Sequence, residues 1–168
     1  MRFTLIDRLV EWHPQKSLKA VKYLTLGEEY LADHFPKFPV MPGVLMLQAL
    51  VEASSWLWRI STDFESSLIV LREVKSVKYG TFMEPGKILE LDVEWIREQE
   101  GRVTFKGKGN IEAGAVTVQA QFVLEAKNIK GSEVLTESEN WVAEKNHNLK
   151  NHWRERFHWL SRGAKLSN

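Results

Sequence analysis

The sequence predicts an α+β domain in which a curved antiparallel sheet wraps one long helix. Three observations carry that prediction. Residues 43–60 form an apolar stretch long enough for about five helical turns. Ile88–Arg97, ILELDVEWIR, alternates apolar and polar residues as a half-buried strand does. The neighbouring strand-like segments are joined by short turns, which suits antiparallel pairing better than helical crossovers.

Taken in order, Leu18–Leu26 alternates loosely and reads as a strand. The segment GEEYLADHFPKFPVMPG follows as a loop. Pro36, Pro39 and Pro42 remove backbone donors there and bias their predecessors away from helix. The helix over 43–60 comes next, and STDFES ends it. Leu68–Val77 reads as a strand of mixed pattern. MEPGK at 83–87 is a turn centred on Pro-Gly, and EQEG a second turn after the strand Ile88–Arg97. Arg102–Ile111 and Val116–Ala126 are two further strands joined through EAGA. A single sheet leaves part of an apolar helix uncovered, so two copies of the chain are expected to pair. The boundaries expected are a domain over residues 1–130 and a basic, partly helical extension over 131–168.

At 168 residues and 43% hydrophobic, the chain suits one domain with a sizeable core. With no cysteine, disulfides and thiolate metal sites are excluded, and a reducing compartment, the cytoplasm, is expected. The N-terminal segment MRFTLIDRLVEWHP lacks the apolar centre of a signal peptide. Val44–Ile60 is too short and too polar to span a membrane. Net charge is +1, but six of the basic residues fall in 145–168 against the single acid Glu155, which leaves the body mildly acidic. Within that extension Leu149, Trp153, Phe157 and Leu160 fall at helical spacing. Three roles follow for it: packing on the body or a neighbouring subunit, a solvated helix face, or contact with an anionic surface, either an acidic carrier protein or a membrane.

The chemistry concentrates in DHFPKFPVMPGVLMLQALVEASSWLW, Asp33 to Trp58. His34 lies in a stiff apolar loop that would fix and dehydrate its ring, and a neutral imidazole so held is a good general base. Pro42 opens the helix with no Ser, Thr, Asp or Asn before it to cap the free N–H groups. Gly43 has no side chain to block approach. A carbonyl oxygen gaining negative charge would be stabilised at such an end. Gln48, Glu52, Ser55 and Arg59 make one polar stripe on this apolar helix, facing either solvent or a cavity. The remaining histidines, His147, His152 and His158 among them, lack metal-ligand spacing. Neither a Gly-rich phosphate loop nor a G-x-S-x-G elbow is present.

The segment HFPKFPVMPGVLMLQAL resembles the motif of the β-hydroxyacyl-acyl-carrier-protein dehydratases, roughly H-F-P-G-x-P-x-M-P-G-V-L-x-x-E-A-L-A-Q. The resemblance continues in LIDRLVEWHPQKSLKAVKYLT upstream and VKYGTFMEPGKILELDVE downstream, covering residues 4 to about 126. It implies the hot-dog fold and cofactor-free removal of water from a 3-hydroxyacyl thioester, carried on acyl carrier protein or coenzyme A, in fatty-acid or related lipid synthesis. His34 matches the family's catalytic histidine, Gly43 the glycine whose N–H binds the thioester carbonyl, and Val40 the position whose carbonyl orients the histidine. The family pairs the histidine of one subunit with the acid of another, which implies a homodimer or a trimer of dimers. Nucleic acid is not among the expected partners.

Two positions depart from the pattern. Lys37 stands where the family has glycine, and Gln48 where it has its acid. The family reads E-A-L-A-Q where this chain reads Q-A-L-V-E, so the carboxylate reappears one turn later as Glu52. Glu52 could reach the same tunnel as a proton donor, or it could instead be held in an ion pair with a buried arginine or with a lysine nearby. The exchange leaves three functions open: a dehydratase using His34 with Glu52 or a water held by Gln48, a non-catalytic module that binds acyl chains or carrier protein, or an acyl thioesterase.

Overall fold

The computed structural model describes residues 4–111, 114–129 and 139–166. Its elements are β1 (Arg8–His13), β2 (Ser17–Tyr23), a 3-10 turn at Glu29–Leu31, α1 (Gly43–Ser61), β3 (Leu68–Tyr79), β4 (Ile88–Gln99), β5 (Arg102–Ile111), β6 (Ala115–Lys127), α2 (Glu139–Leu160) and the two-residue β7 (Lys165–Leu166). The sheet order is β3-β6-β5-β4-β2-β1-β7. Its pairings are antiparallel except the short parallel contact of β7 with β1.

The alternation read in β4 is the inward face of this sheet. Leu89, Leu91 and Val93 are buried, beside Val103 and Phe105 of β5 and Val118, Ala120, Phe122 and Leu124 of β6. They close over α1, whose Leu50, Trp56 and Leu57 are fully buried. On β5 the inward positions after Phe105 are glycines. A Cβ on Gly107 would lie 3.0 Å from the Leu50 side chain, and one on Gly109 2.7 Å from Val118. The missing side chains let the helix lie close to the sheet. At the β4–β5 hairpin, Glu100 (φ 52°) and Gly101 (φ 68°) take the left-handed conformations that a tight hairpin turn requires.

The helix, the two turns and strands β3 to β6 fall where the sequence predicts them, within a few residues at the ends. Two strands escape that reading. In β1 only Leu9 is fully buried, and the register shifts between Leu9 and Glu11. The bulge breaks the alternation that identifies strands. β7 is too short to carry a pattern. The expected strand Leu18–Leu26 stops at Tyr23, where the chain turns to meet the Pro-Gly loop through Leu24 N–H to Lys87 O (3.1 Å) and Gly86 N–H to Leu24 O (2.8 Å).

The extension packs on the body. Trp153 and Phe157 lie against the core and Leu160 is buried in it. Trp153 meets Trp56 edge-to-face at 5.7 Å and donates from Nε1 to Ser67 O at 3.0 Å. Phe157 meets Trp12 at 5.4 Å. Several of its cations turn inward as well: Arg154 donates to Asp63 O at 2.9 Å, and Arg156 lies 3.7 Å from Glu52. At the other end of the sheet β3 has β6 as its only strand neighbour among the described residues. Val70, Leu71, Val74, Val77 and Tyr79 there are each between 37% and 47% exposed, an apolar edge of the kind that pairs with another strand. No described helix is long and apolar enough to cross a membrane.

Candidate active site

The loop from Asp33 to Pro42 is held by its own backbone. His34 N–H donates to Tyr30 O (3.1 Å), Val40 N–H to His34 O (3.0 Å), and Phe35 and Phe38 exchange a pair of bonds. Met41 N–H anchors the far side to Met83 O at 2.8 Å, which ties the loop to the Pro-Gly turn. The His34 ring stacks on Phe35 at 4.1 Å and places Nδ1 3.0 Å from Val40 O. A carbonyl oxygen only accepts, so Nδ1 carries the proton and Nε2 is left as the basic nitrogen. The structure thus brings His34 and Val40 together. Lys37 is exposed at the loop tip.

α1 starts where this loop ends. Pro42 O accepts from Leu45 N–H (2.9 Å) and Met46 N–H (3.1 Å), and no side chain caps the helix. The N–H groups of Gly43 and Val44 therefore point out of the first turn without helical partners. Gly43 is also needed sterically: a Cβ there would lie 3.0–3.2 Å from the ring of Tyr79. Tyr79, at the end of β3, is a residue that sequence reasoning missed. Its neighbourhood depends on β3 folding back across the helix start, which local pattern does not reveal. Burial pushes its phenol above the usual range.

Gln48 and Glu52 lie on another part of α1. They line one cavity of about 420 Å³ with Ser55, Arg59, Trp153 and Arg156, walled by Leu68–Leu71 of β3. The polar stripe therefore faces a cavity covered by α2. Gln48 is exposed at its near end. Glu52 lies one turn deeper, accepting from Leu5 N–H at 3.3 Å through Oε2 and facing Arg156 Nη2 at 3.7 Å through Oε1. Glu52 thus makes an ion pair, but with the part-exposed Arg156 and not with a buried arginine or a lysine as expected. Burial still pushes its carboxyl above the usual range; Arg156, the Leu5 N–H, Trp56 and Arg59 pull the other way and only partly offset it. Within one chain, among the described residues, no hydrogen bond or ion pair links His34 to Gln48 or Glu52. By helical rise the two lie about 7.5 Å and 13.5 Å beyond Gly43 along the axis. No group of His, Asp or Glu among the described residues is placed to hold a metal ion.

Comparison with known proteins matches residues 11–120 to the family model described as ApeI dehydratase, ApeI-like. The chain belongs to the ApeI-like dehydratase family. Curated relatives of this dehydratase chain include the 3-hydroxyacyl-[acyl-carrier-protein] dehydratases FabZ of Janthinobacterium sp. and Burkholderia thailandensis. The first is 31% identical over 74% of this chain and 81% of the relative, the second 35% over 73% and 78%. Among solved structures, the dehydratase heterocomplex ApeI:P from Xenorhabdus doucetiae superposes with a TM-score of 0.51, at 21% identity over 66% of this chain and 88% of that one. The protein smu.793 from Streptococcus mutans, bound to acetyl CoA, superposes with a TM-score of 0.58 at 13% identity over 76% and 93%. The fold is the hot-dog fold that the sequence implies. Trp153 and Arg156, which close the cavity, lie outside the part of this dehydratase that the family model matches.

Proposed function

We propose that the protein removes water from 3-hydroxyacyl thioesters carried on acyl carrier protein, in fatty-acid or related lipid synthesis, as a cytoplasmic homodimer. The observation that carries this reading is the His34 Nδ1–Val40 O bond beside the uncapped helix start at Gly43. His34 Nε2 takes the proton from the carbon next to the thioester, and the Gly43 N–H stabilises the charge that develops on the thioester oxygen. The β-hydroxyl leaves as water after accepting a proton from Glu52, relayed by a water that the Gln48 amide holds. The proton on His34 then returns to Glu52 and restores both groups. A carboxyl whose proton burial holds more tightly suits this task, and a glutamine suits the holding of the water.

The distance along α1 between Gly43 and Glu52 favours a site shared between two copies, His34 of one facing Gln48 of the other. The apolar unpaired edge of β3, which also walls the cavity, supports such pairing. The test is hydration of crotonyl thioesters on carrier protein and on coenzyme A, the reverse reaction. His34→Ala is expected to lose about 10²–10⁴ in kcat/KM while keeping its fold. Release of free acid would point instead to a thioesterase, and acyl binding without turnover to a non-catalytic module.

A further inference from the structure

The cavity beside Gln48 is unusual for an alkyl chain, because its deep end is charged. Arg59, only 5% exposed, lines it. Its guanidinium makes one long hydrogen bond, Nη1 to Ser55 O at 3.3 Å, and its Nε has no partner among the described residues. Trp153 covers the guanidinium face at 4.2 Å. Burial lowers its pKa to about 10, Glu52 opposing, so it stays charged at neutral pH. Arg156 adds a second guanidinium, and Glu52 is the one carboxylate in the lining. That carboxylate pairs with Arg156 and Leu5 N–H, and no ion pair joins it to Arg59 among the described residues. The count is two cations to one anion, and the unmatched cation is the buried one. A buried charge that makes no direct ion pair is costly, and a hydrocarbon terminus would do nothing to offset it.

We propose that this cavity receives the distal end of the acyl chain and selects chains that end in a carboxylate, with Arg59 as the residue that binds it. The inference rests on the dehydratase reading above, in which the reacting carbons sit near Gln48 and the rest of the chain runs along α1. Arg59 lies eleven residues further on, about 16 Å by helical rise, which a chain of about sixteen carbons spans. The carboxylate completes the second ion pair and displaces the solvent that otherwise has to compensate Arg59. Trp153 and Arg156 come from the extension, so the selectivity belongs to this chain's own C-terminal helix rather than to the part matched by the family model.

The experiment compares hydration of trans-2-hexadecenoyl-CoA with that of trans-2-hexadecenedioyl-CoA, the thioester on the unsaturated end. The wild type is expected to favour the diacid by about tenfold or more in kcat/KM, the scale of one charge-assisted hydrogen bond. Arg59→Met should bring the ratio to unity or below, and Arg59→Lys should keep it above unity. Equal use of the two substrates by the wild type, or preference for the alkyl chain, overturns the inference without any variant having to fold. An unchanged preference in Arg59→Met overturns the assignment to Arg59. A wild type that hydrates neither of these nor crotonyl-CoA overturns the dehydratase reading itself, and the inference with it.

Discussion

Replacing Glu52 by glutamine separates a catalytic carboxylate from a structural one. The substitution keeps the side chain's size and an oxygen able to accept from Leu5 N–H, now at 3.3 Å. It removes the charge facing Arg156 at 3.7 Å, where the two side chains are 22% and 31% exposed. A part-exposed pair at that separation contributes about 0–1 kcal/mol. Against this stands the cost of ionising a carboxyl that burial pushes above its ordinary value of 4.5. A raised carboxyl binds its proton more tightly folded than unfolded. The stability it contributes is therefore complete below pH 4.5 and is lost as pH rises through the raised value. Glutamine has no such loss, so Glu52→Gln should gain on the wild type as pH rises and lie within about 1 kcal/mol of it at pH 8. Urea denaturation across that range measures this. Activity should behave differently: removal of the proton donor is expected to cost about 10²–10⁴ in kcat/KM for enoyl-thioester hydration. The exchange Gln48→Glu with Glu52→Gln restores the order of the family motif and should recover much of the loss. Full activity in Glu52→Gln would refute its role as proton source. A stability loss above about 2 kcal/mol that grows with pH would show instead that the ionised carboxylate holds α2 in place.

Three further outcomes follow from the geometry. Gly43→Ala should lower kcat/KM by about 10²-fold, since the new Cβ meets the Tyr79 ring at 3.0 Å and displaces the oxyanion donor; unfolding should change little because Tyr79 is half-exposed and can move. Trp153→Ala loses the contact with Trp56, the cover over Arg59 and the bond to Ser67 O, and should destabilise the protein by about 2–4 kcal/mol in urea titrations. Val74→Lys on the β3 edge should shift the protein from dimer towards monomer in analytical ultracentrifugation, because a charge there opposes strand pairing.

The parts of the fold legible in the sequence are those where a local period decides burial. β4 alternates because one face meets α1 and the other meets solvent, and α1 is apolar because the sheet surrounds it. β1 is different: with a bulge after Leu9 it has no period to read, and its place depends on pairing with β2. The same division runs through the site. His34 and Gly43 could be read because the loop is stiff and apolar and the helix starts where Pro42 demands, whereas Val40 entered only through the resemblance to the dehydratase motif. Tyr79 could not, since its place over Gly43 comes from the return of β3 across the helix start. The stripe Gln48, Glu52, Ser55 and Arg59 was visible as a stripe, but whether it faced solvent or a cavity depended on α2. Arg156 lies 104 positions after Glu52 in the chain, and no local pattern connects them.

Arg59 and Glu52 make the same energetic argument from opposite signs. Burial lowers the one and raises the other, so the surroundings of each favour its neutral form. A pair retained for stability would be expected to close on itself. Here Glu52 turns to Arg156 and Leu5, while Arg59 is left with a single carbonyl and the face of Trp153. Methionine and glutamine at these positions would fill similar space at lower cost. A helix apolar on nearly every other side that keeps two such groups on one cavity wall is spending stability on what enters that cavity. The proposed proton delivery accounts for Glu52 but not for Arg59, two turns deeper, which the proposed binding of an anionic chain end explains.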